Sequence, residues 1–324
     1  MSSGPRGLGS LLLLGLVFGC PRPEPGPGEP KSLVVWRHES GEPELSASLD
    51  ALARFDADRP DVELEVHTLP QGTYTEAVTA SALAGKLPCV LDVDQPTVPN
   101  FAWTGHLRAL DDLIDPARLE PLMEGARSRY RGRLYAVGQF DVALALFAKE
   151  SELEALGARR ATLDAPYTPS ELMEILQRAK ARAPQRYPLD LSMVHRGEWL
   201  PYAFSPWLQS AGADLVDRTD YQRAEGFLNG PRAHAVIRWF QRLFERGLAR
   251  RNPVDDRAFP QGRALMHYAG SWVAPRYFER FGEDLAVMPP PDFGVGPRVG
   301  SGAWQWRISR SCRYPELAGE LIEH

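Results

Sequence analysis

The chain has little of what a nucleic-acid-binding or membrane-embedded protein needs. Its 324 residues carry 37 Lys and Arg against 42 Asp and Glu, a formal net charge of -5, and no basic stripe. Because nucleic-acid-binding domains need clustered positive charge to neutralise phosphates, nucleic acid is excluded as an expected partner. Beyond residue 20, no apolar run approaches the roughly 20 residues that a membrane-spanning helix needs, so no span is expected there.

Several catalytic and cofactor-binding motifs are absent as well. The sequence contains no Gly-rich phosphate-binding loop and no G-x-S-x-G. His38-Glu39-Ser40-Gly41-Glu42 lacks the zinc-protease spacing, because position 42 is not His. We therefore expect no cofactor and no metal, and we do not expect an enzyme.

Only three cysteines are present, and the first ends an apolar run. Residues 11–20 read LLLLGLVFGC and follow Arg6. The run is too short to cross a bilayer but fits the apolar core of an export signal. Val17-Phe18-Gly19-Cys20 resembles a lipobox, in which the Cys20 thiol receives lipid. We predict that residues 1–20 are a lipoprotein signal peptide; the alternative is a plain secretory signal with an incidental cysteine.

Residues 21–31 are predicted to be a tether, because closely spaced prolines remove backbone donors and keep the chain extended. The body of the protein would then lie outside the cytoplasm, in the periplasm or at the cell surface, anchored to the membrane by lipid on Cys20. In that oxidising setting, Cys89 and Cys312 could form a disulfide or remain as two buried free thiols.

The apolar pattern predicts an α/β fold. Strands are expected over 32–36, 62–66 and 89–93, with helices over 44–59 and 74–84 between them. This alternation is typical of a doubly wound sheet that binds ligands at the carboxyl ends of its strands. A second α/β unit is predicted from a hairpin over 130–137, a strand over 142–148, helices over 168–182, 202–211 and 231–247, and strands near 266–268 and 285–288.

Six short stretches follow one another in a specific order. They are Leu33-Val34-Val35-Trp36-Arg37-His38, residues 55–66, Leu107-Arg108-Ala109-Leu110-Asp111-Asp112-Leu113, Gly132-Arg133-Leu134-Tyr135-Ala136-Val137, residues 264–272 and residues 300–309. Each stretch alone is a weak signal. Their order and spacing resemble the extracellular solute-binding proteins of ABC importers, in the carbohydrate-binding class that includes maltose-binding protein.

The resemblance implies a two-lobed periplasmic-binding-protein-like fold of type II, with a ligand cleft between the lobes. Lobe 1 would comprise residues 32–113 plus 298–324, and lobe 2 residues 114–297. In this topology the chain re-enters lobe 1 as a strand antiparallel to the third strand, which implies a Cys89 to Cys312 disulfide. The implied function is that of a lipid-anchored, monomeric receptor that delivers a sugar or oligosaccharide to an ABC transporter permease in the membrane.

The sequence departs from the family pattern in three places. Phe147-Ala148-Lys149 stands where the family has Tyr-Asn-Lys, and Cys89 stands where it has Asp. The chain also ends at His324, inside a predicted helix that begins near residue 315. Because the resemblance implies further helices, we expect a C-terminally shortened family member.

A sugar site needs aromatic faces for C–H patches and planar polar groups for hydroxyls. Strand ends of the first lobe provide one set of ligand-binding candidates, namely His38, Glu39, Gln71, Tyr74, Asp94 and Gln95. The opposite lobe is expected to provide Asp141, Trp207, Trp272 and Trp304.

Other interpretations of these residues remain open. His38 and Glu39 equally fit a solvated strand end, and Asp94 fits a turn cap. Trp272 and Trp304 are favoured for the cleft because each stands near a Gly-Ser or Ser-Gly pair, where backbone approaches closely. The alternative functions are a receptor for a non-sugar solute and an extracellular glycoside-processing enzyme with Asp94 and Asp141 as its carboxylates.

Overall fold

The computed structural model describes residues 30–195, 197 and 199–324. The predicted signal peptide, the lipidation site at Cys20 and residues 21–29 of the predicted tether lie outside the described residues. None of the helices in the described part of the chain is both long enough and apolar enough to cross a membrane.

The first part of the chain alternates strands and helices before ending in a hairpin. Its elements are β1 (Lys31–His38), α1 (Glu44–Asp58), β2 (Val62–Leu69), α2 (Gln71–Leu83), β3 (Val90–Asp94), α3 (Val98–Trp103), α4 (Pro116–Leu119), β4 (Arg127–Tyr130) and β5 (Arg133–Gly138). The apolar runs predicted as buried strands are buried, with Leu33, Val35 and Val90 fully inaccessible.

The second part begins after a short connection at residues 139–141. Its elements are β6 (Val142–Lys149), α5 (Glu150–Ala155), α6 (Pro169–Arg182), β7 (Leu189–Asp190), α7 (Trp199–Ser210), α8 (Pro231–Glu245), β8 (Met266–Gly270), α9 (Ala274–Phe281) and β9 (Leu285–Met288). Helix α6 begins as its sequence predicts. The Thr168 side chain accepts a hydrogen bond from the Glu171 amide, and Pro169 occupies the first turn.

The last part of the chain returns from the second sheet to the first. It consists of β10 (Ser301–Gly302), β11 (Trp304–Ile308) and α10 (Pro315–Glu323). The first sheet has the strand order β2-β1-β3-β11-β5-β4, and the second has the order β10-β6-β8-β7, with β9 also paired to β6. The chain therefore crosses between sheets twice, at residues 139–141 and at Ala303. The result is the two-lobed α/β architecture that the sequence predicts.

The lobe boundaries differ from the prediction in two places. The hairpin β4–β5 falls in the range assigned to lobe 2, but β5 pairs with β11 in the first sheet. Conversely, β10 falls in the range assigned to lobe 1, but it pairs with β6 in the second sheet. The physical reason is the return strand β11, which lies antiparallel to β3 and leaves its other edge for β5. A local hairpin pattern specifies its own pairing and not the sheet edge that it joins.

The return strand also brings the two described cysteines together. Because β11 is antiparallel to β3, the residue before β3 meets the segment that follows β11, and the Ser309 amide donates to the Cys89 carbonyl at 3.0 Å. Cys89 and Cys312 form a disulfide with Cα atoms 4.4 Å apart, inside the limit of about 7 Å for such a bond. This link ties the C-terminal segment to the first lobe.

Candidate functional site

The carboxyl ends of β1 and β3 form a tightly bonded polar cluster. The His38 ring lies with Nδ1 2.7 Å from Asp92 Oδ2, and the His38 amide donates to Asp92 Oδ1 at 3.0 Å. The Glu44 carboxylate faces the other ring nitrogen, with its Oε1 3.5 Å from His38 Nε2. Burial raises the pKa of Glu44, and the neighbouring His38 opposes that rise. The cluster is therefore a strand-end network in which most of the polar groups are already paired.

Two of the predicted ligand contacts in this lobe are buried instead. His38 is 2% exposed, and Tyr74 is fully buried, with its hydroxyl donating to the Asp92 carbonyl at 2.8 Å. The solvated strand-end interpretation of His38 is thus wrong, and so is a direct ligand role for Tyr74. Helix α2 buries one face, with Tyr74, Val78 and Ala82, in a cluster that includes Leu91 and Val93 of β3. His38 and Tyr74 therefore lie beneath the surface of the candidate site and support it.

Trp304 covers this network, but from the first lobe and not from the opposite one. It opens β11 beside Asp94 of β3, and its indole stacks on the His38 ring at a centroid distance of 3.7 Å. The edge of Tyr74 meets the same indole at 5.5 Å. Trp304 remains half-buried, so part of its surface is available at the sheet end.

A buried cation lies in the sheet beneath these groups. The Arg307 guanidinium of β11 is fully buried and donates to the Val93 carbonyl at 2.6 Å. Burial lowers its pKa to about 9, with Asp92 opposing the shift. The positive charge offsets the carboxylates at the strand ends.

Glu39 and Gln71 are exposed at the ends of β1 and β2. The Glu39 amide donates to the Leu69 carbonyl at 2.7 Å, and no side-chain hydrogen bond joins either residue to another described residue. Their roles as ligand contacts stay predictions.

Asp141 joins the two chain crossings. Its Oδ1 accepts hydrogen bonds from the amides of Val142 and Gly302, at 2.9 and 2.7 Å, and its Oδ2 accepts one from the Ser301 hydroxyl at 2.8 Å. A Cβ added to Gly125 would lie 2.2 Å from Asp141 Oδ2, so the neighbouring loop is close as well. The structure thus places Asp141 as a clamp between crossings, with both oxygens engaged, and not as a free ligand contact.

Asp94 and Gln95 lie beside the second crossing. Asp94 ends β3 opposite Trp304, and the Gln95 amide donates to the Ala303 carbonyl at 3.1 Å. Gly302 has a positive φ of 144°, and a Cβ there would approach Gln95 Oε1 to 2.7 Å. Both predicted residues are therefore at the junction of the lobes, half-buried.

Trp207 is a correction. It is fully buried in the second lobe, where its ring contacts Trp239, Phe240 and Tyr268. The buried residues of α7 include Trp199, Ala203, Trp207 and Ser210, the spacing of one helix face, and this face points into the core. A residue with no accessible surface cannot contact a ligand.

Trp272, which is predicted to contact the ligand, lies exposed on the second lobe, and its ligand contact stays a prediction. It is 46% exposed and is the second residue after β8. A Cβ added to Gly270 would come within 1.8 Å of its ring, so only glycine lets the indole lie against the strand end. Its ring meets Trp199 edge-on at 6.2 Å, and Trp199 in turn lies 6.0 Å from Tyr202. We call Trp199, Tyr202 and Trp272 the aromatic cluster of the second lobe.

Tyr202 is the site residue that sequence reasoning missed. Its hydroxyl oxygen is buried and has no hydrogen-bond partner among the described residues. Burial raises its pKa, and the negative charges of Asp94 and Asp141 add to the rise. A Cβ on Gly300 would lie 2.5 Å from the Tyr202 carbonyl oxygen. Tyr202 therefore extends the aromatic cluster to the junction with the first lobe. The sequence signal for Tyr202 is an aromatic residue in the first turn of α7, whereas the aromatic candidates predicted for the opposite lobe are all tryptophans.

Most of the chain matches a protein-family model. Residues 50–324 fit the family model described as bacterial extracellular solute-binding protein. The chain belongs to that family of solute-binding proteins. A comparison with curated protein sequences found no match.

Solved structures share the fold over most of the chain. The GacH receptor of Streptomyces glaucescens, solved unliganded and with acarbose or an acarbose homologue, is 23% identical with a TM-score of 0.73, covering 91% of this chain and 76% of its own. Maltose-bound MalE3 of Thermotoga maritima is 22% identical with a TM-score of 0.74, covering 90% and 76%. An ABC transporter solute-binding protein of Thermotoga lettingae with bound α-D-tagatose is 20% identical with a TM-score of 0.73, covering 90% and 76%.

Proposed function

We propose that the protein is a receptor that binds a sugar or oligosaccharide at the junction of its lobes. The observation that carries the proposal is the aromatic cluster of the second lobe, in which Trp272 is 46% exposed and Tyr202 lies against Gly300, next to the second chain crossing. Aromatic faces suit the C–H patches of a sugar ring, and carboxylate and amide groups suit its hydroxyls.

The structural relatives support a carbohydrate as the ligand. Three solved proteins that share this fold hold acarbose, maltose or tagatose. A non-sugar solute is the alternative within the same class.

The carboxylates of the first lobe and of the chain crossing between the sheets do not favour a glycosidase. A glycoside-cleaving pair needs one carboxyl group to protonate the leaving oxygen and a second to act as a base or nucleophile. Asp141 uses both of its oxygens to accept three hydrogen bonds that join the crossings, which favours a structural role for this carboxylate. Binding without turnover is the function that this geometry favours.

Two tryptophans make a matched pair for testing the site. Trp272 is 46% exposed in the aromatic cluster, and Trp103 is 68% exposed at the end of α3 in the first lobe. Sugar titration by calorimetry should show Trp272→Ala weakening binding about tenfold or more, because a sugar-stacking face is lost. Trp103→Ala should bind as the wild type does. Equal affinity in all three proteins would remove Trp272 from the site.

We further propose that the receptor is a monomer held at the membrane by lipid on Cys20, outside the cytoplasm, and that it delivers its ligand to an ABC permease. A tethered receptor stays near its importer instead of diffusing away. Labelling cells with a radioactive fatty acid tests the anchor. Wild-type protein should take up label and fractionate with membranes, whereas Cys20→Ala should do neither; label on the Cys20→Ala protein would contradict lipidation at this cysteine.

A further inference from the structure

A cavity of about 380 Å³ lies in the second lobe, at the edge of its sheet. We call it the edge cavity; its lining includes Arg186, Tyr187, Asp190, Arg250, Val254 and Arg263. Strand β7 is the last in the order β10-β6-β8-β7, whereas β10 lies beside the chain crossing at the other end. The edge cavity is therefore separate from the junction of the lobes. Its volume falls within the range of small-molecule sites, about 300 to 1,000 Å³.

Asp190 is an incompletely paired buried acid in this cavity. Its side chain is 7% exposed, and Oδ1 accepts a hydrogen bond from the Ser192 amide at 3.0 Å. Oδ2 is buried with no hydrogen-bond partner among the described residues. Burial raises the pKa of Asp190 to about 6, with Asp256 and Asp255 adding to the rise. Such an oxygen is costly unless a donor reaches it.

The cations of the edge cavity differ in how they are paired. Arg263 bonds Asp255 at 2.9 Å, and Arg186 lies 3.6 Å from Glu152. The Arg250 guanidinium lies over the Tyr187 ring, 5.1 Å from its centroid, and donates no hydrogen bond to another described residue. Its N–H groups are thus open to a ligand.

Tyr187 does not provide a sugar platform. Its ring contacts Arg250 at 5.1 Å and also Lys180 at 4.9 Å, so it is engaged with two cations. The apolar part of the lining is formed by Leu189, Pro253, Val254, Ala258 and Ala264, and Gln185 and Asp255 add further polar groups. The cavity therefore combines a buried carboxylate oxygen of Asp190 that lacks a partner among the described residues, the Arg250 guanidinium and an apolar wall.

We propose that the edge cavity binds a small zwitterion of the α-amino acid class. The ligand ammonium pairs with Asp190, its carboxylate pairs with Arg250, and an apolar side chain lies against Pro253 and Val254. A simple anion would face the Asp190 carboxylate, and a simple cation would face the guanidinium groups. A neutral sugar would leave the buried carboxylate without a compensating charge. A zwitterion satisfies both groups at once.

The experiment is a calorimetric titration of the full chain with the twenty common amino acids, and with glucose and maltose as neutral probes. At least one apolar amino acid should bind with a Kd below about 10 mM. Asp190→Asn and Arg250→Met should each weaken that binding about tenfold or more, because each leaves one charge of the ligand unpaired. Asp190→Asn keeps the Oδ1 acceptor for Ser192, and circular dichroism verifies that both variants are folded.

The controls separate this site from the sugar site. Arg238→Met changes an exposed arginine of α8 that does not line the cavity, and it should bind the amino acid as the wild type does. Trp272→Ala should also leave amino acid binding unchanged, even though sugar binding weakens. The proposal is overturned if no amino acid binds below about 10 mM, if Asp190→Asn binds as tightly as the wild type, or if the neutral sugars compete for the same site.

Discussion

The indole of Trp304 stacks on the imidazole of His38, with centroids 3.7 Å apart and ring planes 15° from parallel. One ring belongs to the first strand of the described chain and the other to its last strand. His38 is fixed in turn by Asp92, at 2.7 Å. This side of the candidate site is therefore assembled from the first and last strands of the described chain, and it forms only when β11 has docked.

Trp304→Ala should lower the free energy of unfolding by about 2 kcal/mol, because it removes a half-buried aromatic partner and exposes the buried His38 ring. Trp304→Phe should lose less than half as much stability as Trp304→Ala, since a smaller ring can still stack on His38. Urea unfolding measures both variants. A stability loss that is equal in the two variants would show that stacking on His38 contributes nothing.

Asp141→Asn should destabilise the protein by about 1–2 kcal/mol, because the amide nitrogen cannot accept the hydrogen bond from Ser301. Ser301→Ala removes the same hydrogen bond from the other side. The double variant should therefore be little less stable than Asp141→Asn alone, as expected for residues that share one interaction. Fully additive losses in urea unfolding would argue against the clamp.

The same Asp141→Asn variant also tests for catalysis. If the wild type cleaves a glycoside and the variant does not, the result would favour the enzyme.

Gly270→Ala should weaken sugar binding to about the same extent as Trp272→Ala, because the new methyl group occupies the position of the indole. Once the indole is gone, the methyl group has no clash to make, so Gly270→Ala combined with Trp272→Ala should bind as Trp272→Ala does. Gly72→Ala is the matched control, since a Cβ there meets nothing within 4 Å. Calorimetric titration measures the sugar affinity of the four variants. Losses of affinity that add up in the double variant would disprove the steric link between Gly270 and Trp272.

Asp190→Asn should stabilise the protein at neutral pH. The folded-state pKa of Asp190 is raised to about 6 by burial, so its contribution to stability is present below pH 4 and is lost as the pH rises through 6. The shift corresponds to roughly 3 kcal/mol at pH 8. Asparagine does not ionise, so the variant should be more stable than the wild type at pH 8 and similar to it at pH 4. A stability difference that does not change with pH would contradict this account.

The sequence predicted those features that depend on local pattern or strand order. The buried strands follow from apolar runs such as Leu33 to Trp36. The disulfide between Cys89 and Cys312 was implied by a family topology in which the last strand lies beside the third. Trp272 was selected because a glycine precedes it closely, and the structure gives the steric reason at Gly270.

The features that the sequence did not predict depend on contacts between distant segments. Asp141 is engaged by Ser301 and Gly302, 160 and 161 residues away, and no local pattern around Asp141 indicates those partners. Trp207 and Tyr202 lie on the same helix, and only the packing of that helix decides which of the two is buried in the core. The position of the hairpin β4–β5 depends likewise on the return of β11.

The central claim is that the aromatic cluster of the second lobe binds a sugar without cleaving it. The most direct measurement is calorimetric titration of wild type, Trp272→Ala and Trp103→Ala with a panel of mono- and oligosaccharides, followed by product analysis of each mixture. We predict saturable binding of at least one sugar, a loss of about tenfold or more in Trp272→Ala only, and no product. No binding by any sugar, equal loss in both variants, or release of a cleaved product would contradict the account.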